Sequence, residues 1–432
     1  MTPVRAGMIR LLDSVEMARA YTLAVLGAAF GSFLIVRMAS SVTFATIILL
    51  LCVLGAAILY VRRAELSLLR FAPVSLLAFL LLALISVFWS TDRSETLISW
   101  AWTFAFTFLA IAVGHLRDTL QTVRAIGDTL RVLLAISLAA EIFSGILIDL
   151  PIVFLDIEGN LALGGPVQGI FGTRNMLGFI AVIALITFVI EWRTQSVIAP
   201  VAVPSIALAG FLALLSASPT VLVLAVVVGI VTGALTIVRH TSAARRNLVQ
   251  WMLGAAAAAS LIVAFALRHP IIAWMGAGSD FSTRADLWNQ ILDFVAIKPF
   301  QGWGWFGSWQ RGEYPFTYIN FLLNDRHETA LNSYFDVLLQ LGIAGLLLFL
   351  VLGGVALIRS WLVASVRKSV VYAWTPLVLV TLAVDSMFES FTLVGAGWFM
   401  LVLCALRAGQ SRSWRENIDA AHTGVIPTLR GQ

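Results

Sequence analysis

Long apolar segments make up most of the chain and place it in the class of integral membrane proteins. A helix that crosses the hydrocarbon core of a bilayer needs about 20 mainly apolar residues. We predict about twelve such spans, at 21–39, 42–61, 71–89, 97–116, 129–149, 171–190, 198–215, 219–238, 248–267, 331–356, 371–388 and 391–407. Because a span in lipid must satisfy its own backbone hydrogen bonds, the predicted fold is all-α and polytopic.

The composition agrees with this class. Of the 432 residues, 60% are hydrophobic and 12% are charged, whereas a soluble domain is about 45–50% apolar and about 25% charged. The formal charge of +5 arises from basic residues spread over short loops, so no nucleic-acid partner is expected. Cys52 and Cys404 lie within apolar segments, which predicts no disulfide framework. The first apolar run, Tyr21–Val36, is expected to be a retained span and not a cleaved signal peptide.

The positions of lysine and arginine predict how the chain is oriented, because cytoplasmic loops carry an excess of both. If the segment with Arg5, Arg10 and Arg19 is cytoplasmic, every loop on that side is basic. Eight of the 28 lysines and arginines then lie outside, namely Arg37, Arg93, Arg174, Arg268, Arg284, Lys298, Arg311 and Arg326. We therefore expect a multi-pass protein of the cell membrane with both termini in the cytoplasm.

The chain is expected to form a single membrane domain over residues 1–432. Its longest polar interruption, 268–330, is predicted to be an extracytoplasmic loop, and 408–432 a cytoplasmic tail. The loop is the expected location of any chemistry on the outer face of the membrane.

The extracytoplasmic loop has predicted structure of its own. Apolar residues at helical spacing predict an amphipathic helix over Thr283–Lys298 that ends at Pro299. The tryptophans of the Gly/Trp-rich turn Gln301–Trp309 are typical of the water–headgroup boundary. A second short helix is expected to begin near Asp325 and to run into the span that follows Asn332.

The sequence contains part of a zinc-protease motif. His327 and Glu328 begin HETAL, but Leu331 stands where the motif His-Glu-x-x-His needs its second histidine. No other cluster of His, Cys or Asp has the spacing of metal ligands, and no Walker or Rossmann glycine loop is found in the sequence. We therefore predict no metal site and no cofactor.

Arginines on the outer side are candidates for binding phosphate, because guanidinium offers forked donors and a permanent charge. Phosphate binding is favoured for Arg284, within the amphipathic helix, and for Arg174, at the outer mouth of a span. Snorkelling towards the headgroups is favoured for Arg37 and Arg268. The other candidates for a phosphate site are Arg93 and Arg326.

Histidine and acidic residues are candidates for proton transfer. His327 is a candidate general base because the ordinary pKa of histidine lies near neutrality, and the alternative is a solvated loop histidine. Glu389 either contributes to the site or caps the outer end of a hairpin. Glu141 and Asp385 are expected to be mostly packing contacts.

Four stretches resemble a known family. They are Ser90–Leu97 (STDRSETL), Gly169–Gly178 (GIFGTRNMLG), Ser216–Leu224 (SASPTVLVL) and, most specific of all, the outer block from Arg284 to Gly345. In order and in side of the membrane they resemble the O-antigen ligase and O-antigen polymerase family, including related exopolysaccharide polymerases. The resemblance covers most of the chain.

The resemblance implies a bundle of about twelve helices with a large outer loop as a lid over a groove. It also implies an enzyme, a glycosyltransferase that moves a glycan from undecaprenyl pyrophosphate to a hydroxyl of a glycan or lipid acceptor, without metal or nucleotide. Within the family pattern, Arg284 matches the arginine assigned to pyrophosphate. Arg174 and Asn175 match a basic residue followed by asparagine at the mouth of a span.

The family pattern leaves the base open. Members commonly have histidine directly before the asparagine that here is Asn332, whereas this chain has Leu331. His327 precedes Leu331 by four residues and would share its face on a helix. Glu328 and Asp325 are the alternatives.

A membrane transporter or lipid-linked glycan flippase is the alternative function. Transporters place charged or broken-helix sites near the midplane, often within inverted repeats, and the sequence shows neither feature clearly. A scaffold for a wall-synthesis complex is a third reading, and it leaves the polar loop unexplained.

Overall fold

The computed structural model describes residues 3–63, 71–267, 278–310 and 312–410. Within these ranges the helices are α1 (Pro3–Asp13), α2 (Val15–Phe30), α3 (Ser32–Met38), α4 (Ser41–Val61), α5 (Val74–Ile85), α6 (Arg93–Leu116), α7 (Thr119–Ile142), α8 (Arg174–Arg193), α9 (Ala199–Leu215), α10 (Pro219–His240), α11 (Ala243–Ala266), α12 (Gly278–Ile297), α13 (Phe316–Leu323), α14 (Ser333–Val366), α15 (Trp374–Asp385) and α16 (Gly395–Gln410). The structure is 80% helical, and the described residues contain no strand. The predicted all-α class is confirmed.

Six of the described helices are long and apolar enough to cross a membrane, namely α4, α6, α7 with its π-helical extension to Ile148, α8, α10 and α14. The predicted span 21–39 is divided into α2 and α3, which meet at an angle of 74° and give a seventh span if they are counted together. Shorter apolar segments occupy Val74–Phe88, Ala199–Leu215 and Val370–Asp385. These helices confirm a polytopic membrane protein, while the count of about twelve spans stays a prediction.

The long helix α14 is interrupted at Gly342, whose φ of 66° and ψ of −166° lie outside the helical region. The interruption frees backbone groups that bind the Gly/Trp-rich segment. The N–H of Trp303 donates to the carbonyl of Leu339 at 3.1 Å, and the N–H of Ile343 donates to the carbonyl of Pro299 at 2.8 Å. The predicted extracytoplasmic loop is therefore joined directly to the backbone of α14.

Trp305 anchors the same segment inside the helical bundle. The residue is fully buried, and its ring meets Phe79 edge-on with centroids 5.4 Å apart. Its indole N–H donates to Oγ1 of Thr103 at 2.9 Å, and its backbone N–H donates to Oγ of Ser86 at 3.0 Å. The prediction of a water–headgroup position is wrong for this tryptophan, because its polar N–H is satisfied inside the core.

The amphipathic helix of the outer loop is confirmed as α12, which ends at Ile297, two residues before Pro299. The side chains of Leu287 and Ile291 are fully buried. They form a small core of the outer loop, separate from the main core of the bundle, with Phe294, Trp303, Phe306, Trp309, Phe316, Ile319, Ala330 and Leu339.

The prediction of a helix beginning near Asp325 is wrong. The helix in this part of the loop is α13, which ends at Leu323, and residues 324–332 are not helical. Asn324 and Leu331 have left-handed φ values of 50° and 51°. The side chain of Asn332 caps α14 by accepting the N–H groups at the helix start, which fixes where that helix begins. His327 therefore does not share a helical face with Leu331.

Candidate active site

Glu389 lies in the turn that follows α15, and its carboxylate is buried. Its backbone N–H donates to the carbonyl of Asp385 at 2.8 Å. Its carbonyl accepts a hydrogen bond of 3.0 Å from the hydroxyl of Ser333, the first residue of α14. The turn is therefore fixed against the start of α14.

Two side chains from distant parts of the chain donate to the same oxygen of this carboxylate. Nδ2 of Asn175 lies 2.6 Å from Oε1 of Glu389, and Nη2 of Arg284 lies 3.2 Å from it. Asn175 is the second residue of α8, whose N-terminus is capped by the side chain of Thr173. Three elements, the α8 start, α12 and the turn after α15, therefore meet at one atom.

The guanidinium of Arg284 has further partners that fix its orientation. It donates to the carbonyl of Leu331 at 3.2 Å and to the carbonyl of Phe388. In the ion pair the arginine side chain is 18% exposed and the Glu389 side chain 7% exposed. Burial raises the pKa of the Glu389 carboxyl above its usual value, against the opposing effects of Arg284 and Asn175.

Asn332 joins the start of α14 to the same turn. Its amide Nδ2 donates to the carbonyl of Met387 at 3.0 Å, and its backbone N–H donates to Oγ of Ser390 at 3.2 Å. The structure therefore brings four of the predicted residues to one place, namely Asn175, Arg284, Asn332 and Glu389.

His327 lies beside this group, between α13 and α14. Asn320 holds its backbone through two hydrogen bonds, one accepted from the N–H at 3.0 Å and one donated to the carbonyl at 2.9 Å. Nε2 of His327 lies 3.3 Å from Oδ2 of Asp325. Burial lowers the pKa of His327 below its usual value, more than Asp325 raises it, and the charge of Arg284 lowers it further. The imidazole is therefore neutral at neutral pH, which is the form that accepts a proton.

Arg174 is the first residue of α8 and directly precedes Asn175. Its side chain is half-buried. With the rest of the described chain it makes no hydrogen bond or ion pair, so the N–H groups of its guanidinium are available to an anion.

Three other predicted residues lie at exposed positions. Arg93 is exposed at the start of α6, and Arg326 and Glu328 are exposed on either side of His327. The carbonyl of Glu328 accepts a hydrogen bond of 2.7 Å from the N–H of Trp309. Roles for these three side chains in substrate binding or catalysis stay predictions.

Asp336 is a residue that sequence reasoning missed. It is fully buried in the first turn of α14. Its carboxylate accepts hydrogen bonds from the indole N–H of Trp309 at 2.6 Å, from the N–H of Ala330 at 3.0 Å and from the hydroxyl of Ser390. The signal was an acidic residue in an apolar span, which is expensive unless it is paired. Asp336 thereby connects the outer loop to the turn that carries Glu389.

Two acids that were expected to be packing contacts behave differently. Oε1 of Glu141 accepts the backbone N–H groups of Gln168 at 2.9 Å and Gly169 at 2.8 Å, as a packing role requires. Asp385 is 1% exposed, and neither of its carboxylate oxygens has a hydrogen-bond partner among the described residues. Packing alone therefore does not account for Asp385.

The site offers cationic donors and a neutral imidazole. Arg284 and Arg174 supply forked N–H donors for an anion, and His327 supplies an acceptor for a proton. Among the residues that the structure describes, no group of three or more His, Cys, Asp or Glu side chains is arranged to hold a metal ion.

Comparison with known proteins gives a family-model match over the central part of the chain. Residues 167–350 match the family model described as O-antigen ligase. This match confirms the resemblance that the sequence motifs indicated. The matched segment contains Asn175, Arg284, His327 and Asn332, while Glu389 lies beyond its end. No curated protein matches the chain.

Proposed function

We propose that this protein, whose residues 167–350 belong to the O-antigen ligase family, transfers a glycan from an undecaprenyl-pyrophosphate donor to a hydroxyl group of an acceptor. The family match supports a glycosyltransferase of the ligase or polymerase type. In this proposal the acceptor is a glycan or a lipid, and the reaction needs no metal. The loop 268–330 faces outward, both termini are cytoplasmic, and about twelve spans form the membrane domain.

The observation that carries the proposal is the convergence of Arg284 and Asn175 on Oε1 of Glu389. Arg174, next in sequence to Asn175, adds a second guanidinium with available donors at the same helix start. Two arginines at the end of an apolar bundle, of which Arg284 is held by its partners, are suited to a diphosphate at a membrane boundary, because the forked donors match phosphate oxygens.

The proposed reaction is a single displacement at the anomeric carbon of the donor. The bond from this carbon to the pyrophosphate oxygen breaks, a bond to the acceptor oxygen forms, and the hydroxyl proton passes to a base. Negative charge grows on the departing pyrophosphate. Arginine donors fixed before the reaction stabilise this charge by roughly 3 kcal/mol for each well-placed donor.

In this scheme Glu389 positions the side chain of Arg284. Its carboxylate and the carbonyls of Leu331 and Phe388 orient the guanidinium. A pyrophosphate oxygen competes with these acceptors for the same N–H groups. We propose that donor binding moves part of this hydrogen bonding to the pyrophosphate, while Asn175 keeps its bond to Glu389.

His327 is the proposed base. Its lowered pKa, to which burial and the charge of Arg284 both contribute, keeps the imidazole neutral at neutral pH. Asp325 and Glu328 remain the alternatives. The side chain of Asp325 is 51% exposed, which favours a supporting role beside the imidazole over direct contact with a buried acceptor.

Reconstitution tests the proposed function. The purified protein in proteoliposomes is supplied with an undecaprenyl-pyrophosphate glycan, a panel of glycan and lipid acceptors, and EDTA to remove divalent metals. The expected result is a joined glycan product together with free undecaprenyl pyrophosphate. Absence of transfer with every acceptor, combined with substrate-dependent flux across the membrane, would instead support a transporter or flippase.

A further inference from the structure

A cavity bordered by the segment that follows the turn of Glu389 has no role in the scheme above. Its volume is about 350 Å³. Its walls come from α4, α6, the loop segment Phe306–Gln310 and the segment Leu393–Gly395, which follows the turn of Glu389. Part of the wall is the first turns of α6, which overlap the stretch Ser90–Leu97 (STDRSETL) that the family resemblance singled out but the proposed reaction does not use.

Part of the cavity lining is aromatic. Phe44, Trp102 and Phe306 line it, and the rings of Phe44 and Trp102 are stacked with centroids 5.6 Å apart and planes 12° from parallel. Trp102 is only half-buried. An indole and a phenyl ring beside an open space provide flat apolar surfaces on which a ring-shaped ligand can pack.

Another part of the lining is polar. Glu95, Ser99, Ser308 and Gln310 line the cavity. The side chains of these four residues form no hydrogen bond or ion pair with the rest of the described chain. They therefore offer several acceptors and donors to a ligand, together with one negative charge.

The combination of aromatic and polar lining residues favours a ligand with apolar faces and many hydroxyl groups. A pyrophosphate is disfavoured because Glu95 carries the same sign of charge and, among the described residues, no arginine or lysine lines the cavity. A sugar ring has C–H faces that pack on aromatic rings and hydroxyls that donate to carboxylate and amide oxygens. We propose that this cavity binds a neutral sugar ring of one of the two glycan substrates, the acceptor or the glycan that is transferred.

The cavity wall is tied to the active site through α14. The backbone N–H groups of Phe306 and Gly307 donate to Oε1 of Gln340 at 2.7 and 2.9 Å. Two residues further along the loop, Trp309 donates to Asp336, which also binds Ser390 beside Glu389. A sugar in the cavity is thereby held in a fixed relation to the turn that positions Arg284. The inference rests on the proposed function, since it assigns part of that reaction's glycan.

Two tryptophans on α6 provide a matched pair for the test. Trp102 lines the cavity. Trp100 is also half-buried and stacked on a phenylalanine, Phe104, with centroids 5.1 Å apart, but it does not line the cavity. Glu95→Gln is a third variant, which keeps the size of a partly exposed side chain and removes only its charge.

Initial rates are measured for wild type, Trp102→Leu, Trp100→Leu and Glu95→Gln while donor and acceptor are varied separately. Trp102→Leu and Glu95→Gln are expected to raise KM for one glycan substrate by about tenfold, while Trp100→Leu changes it by less than about twofold. An effect on the acceptor KM assigns the cavity to the acceptor, and an effect on the donor KM assigns it to the transferred glycan. An unchanged KM for both overturns the inference and leaves the proposed function standing.

If wild type shows no transfer, the proposed function is contradicted. A binding measurement then tests the sugar-binding cavity independently of that function. The oligosaccharide released from the donor by mild acid and the acceptor glycan are titrated calorimetrically, each separately, into the protein in nanodiscs. Binding of either glycan to wild type that is weakened about tenfold in Trp102→Leu but not in Trp100→Leu supports the cavity. No binding of either glycan to wild type, or equal binding of both glycans to the two variants, overturns it.

Discussion

Arg284 and Glu389 form an ion pair of 3.2 Å between Nη2 and Oε1, at a place where both side chains are largely withdrawn from solvent. A charge buried in this way is costly unless it is paired. The pair is therefore a strong constraint on the position of α12, and it fixes a cationic group at the end of the membrane bundle. The proposed pyrophosphate site depends on this relationship.

Gly342 is predicted to be indispensable to the attachment of the outer loop. A Cβ at this residue would lie 2.4 Å from the backbone carbonyl group of Phe300, and its φ of 66° disfavours other residues. Gly342→Ala is expected to lower stability by about 1–3 kcal/mol or more. Gly353→Ala, in the same helix with open space around its Cβ, is expected to be neutral or stabilising by up to about 1 kcal/mol. Thermal unfolding in detergent compares the two, and equal melting temperatures would refute the role given to Gly342.

Asp336 is predicted to be a structural acid. Asp336→Ala leaves the indole of Trp309, the N–H of Ala330 and the hydroxyl of Ser390 without their acceptor, at about 1–3 kcal/mol for each buried group. The melting temperature is expected to fall clearly. Asp293→Ala, which changes an exposed acid of α12, is the control and should have little effect. A fall no larger than that of the control would show that the three hydrogen bonds add little.

Arg174 is predicted to act on the substrate and not on the fold. Because its guanidinium has no partner in the described chain, Arg174→Ala is expected to leave the melting temperature unchanged. It is expected to reduce transfer by about tenfold, mainly through the donor KM. Arg193→Ala, at the opposite end of α8, is the matched control and should retain full activity. Equal rates in the two variants would remove Arg174 from the site.

His327 is predicted to give transfer a pH dependence. A base works in its deprotonated form, and burial together with the charge of Arg284 lowers the pKa of His327. The rate should therefore rise with pH through a value below about 6.5, the ordinary pKa of histidine, and be level above it. Asp325→Asn removes the carboxylate that raises this pKa, so the rise should move to lower pH.

The companion variant is His327→Ala, in which this rise should disappear while the rate falls. An activity within about threefold of wild type would mean that another group, or none, takes the proton.

Much of the fold follows from the sequence because it depends on local patterns. Apolar segments of sufficient length locate the spanning helices, and the spacing of Leu287, Ile291 and Phe294 locates α12 and its buried face. The structure of the non-helical segments does not follow from the sequence, because contacts with residues far away in the chain determine it. Trp305 is buried since Thr103 supplies an acceptor for its indole, and no local pattern records that contact.

The sequence predicts which residues belong to the candidate site but not how these residues contact one another. Arg284, Asn175, Asn332 and Glu389 were each named from charge, position or family pattern. That two of them donate to one oxygen of Glu389 depends on tertiary structure alone. Asp336 was missed because its three partners come from the loop, from the segment before α14 and from the turn after α15.

The double variant Arg284→Ala/Glu389→Gln tests the central claim most directly. Removing Arg284 alone leaves the Glu389 carboxylate without its charged partner, whereas glutamine in its place is neutral and keeps an acceptor for Asn175. We predict that the double variant inserts into the membrane and unfolds near the temperature of Glu389→Gln. Its transfer rate with the undecaprenyl-pyrophosphate donor should nevertheless be lower than that of Glu389→Gln by about 100-fold or more. Transfer by the double variant at the rate of Glu389→Gln would contradict the assignment of Arg284 to the pyrophosphate.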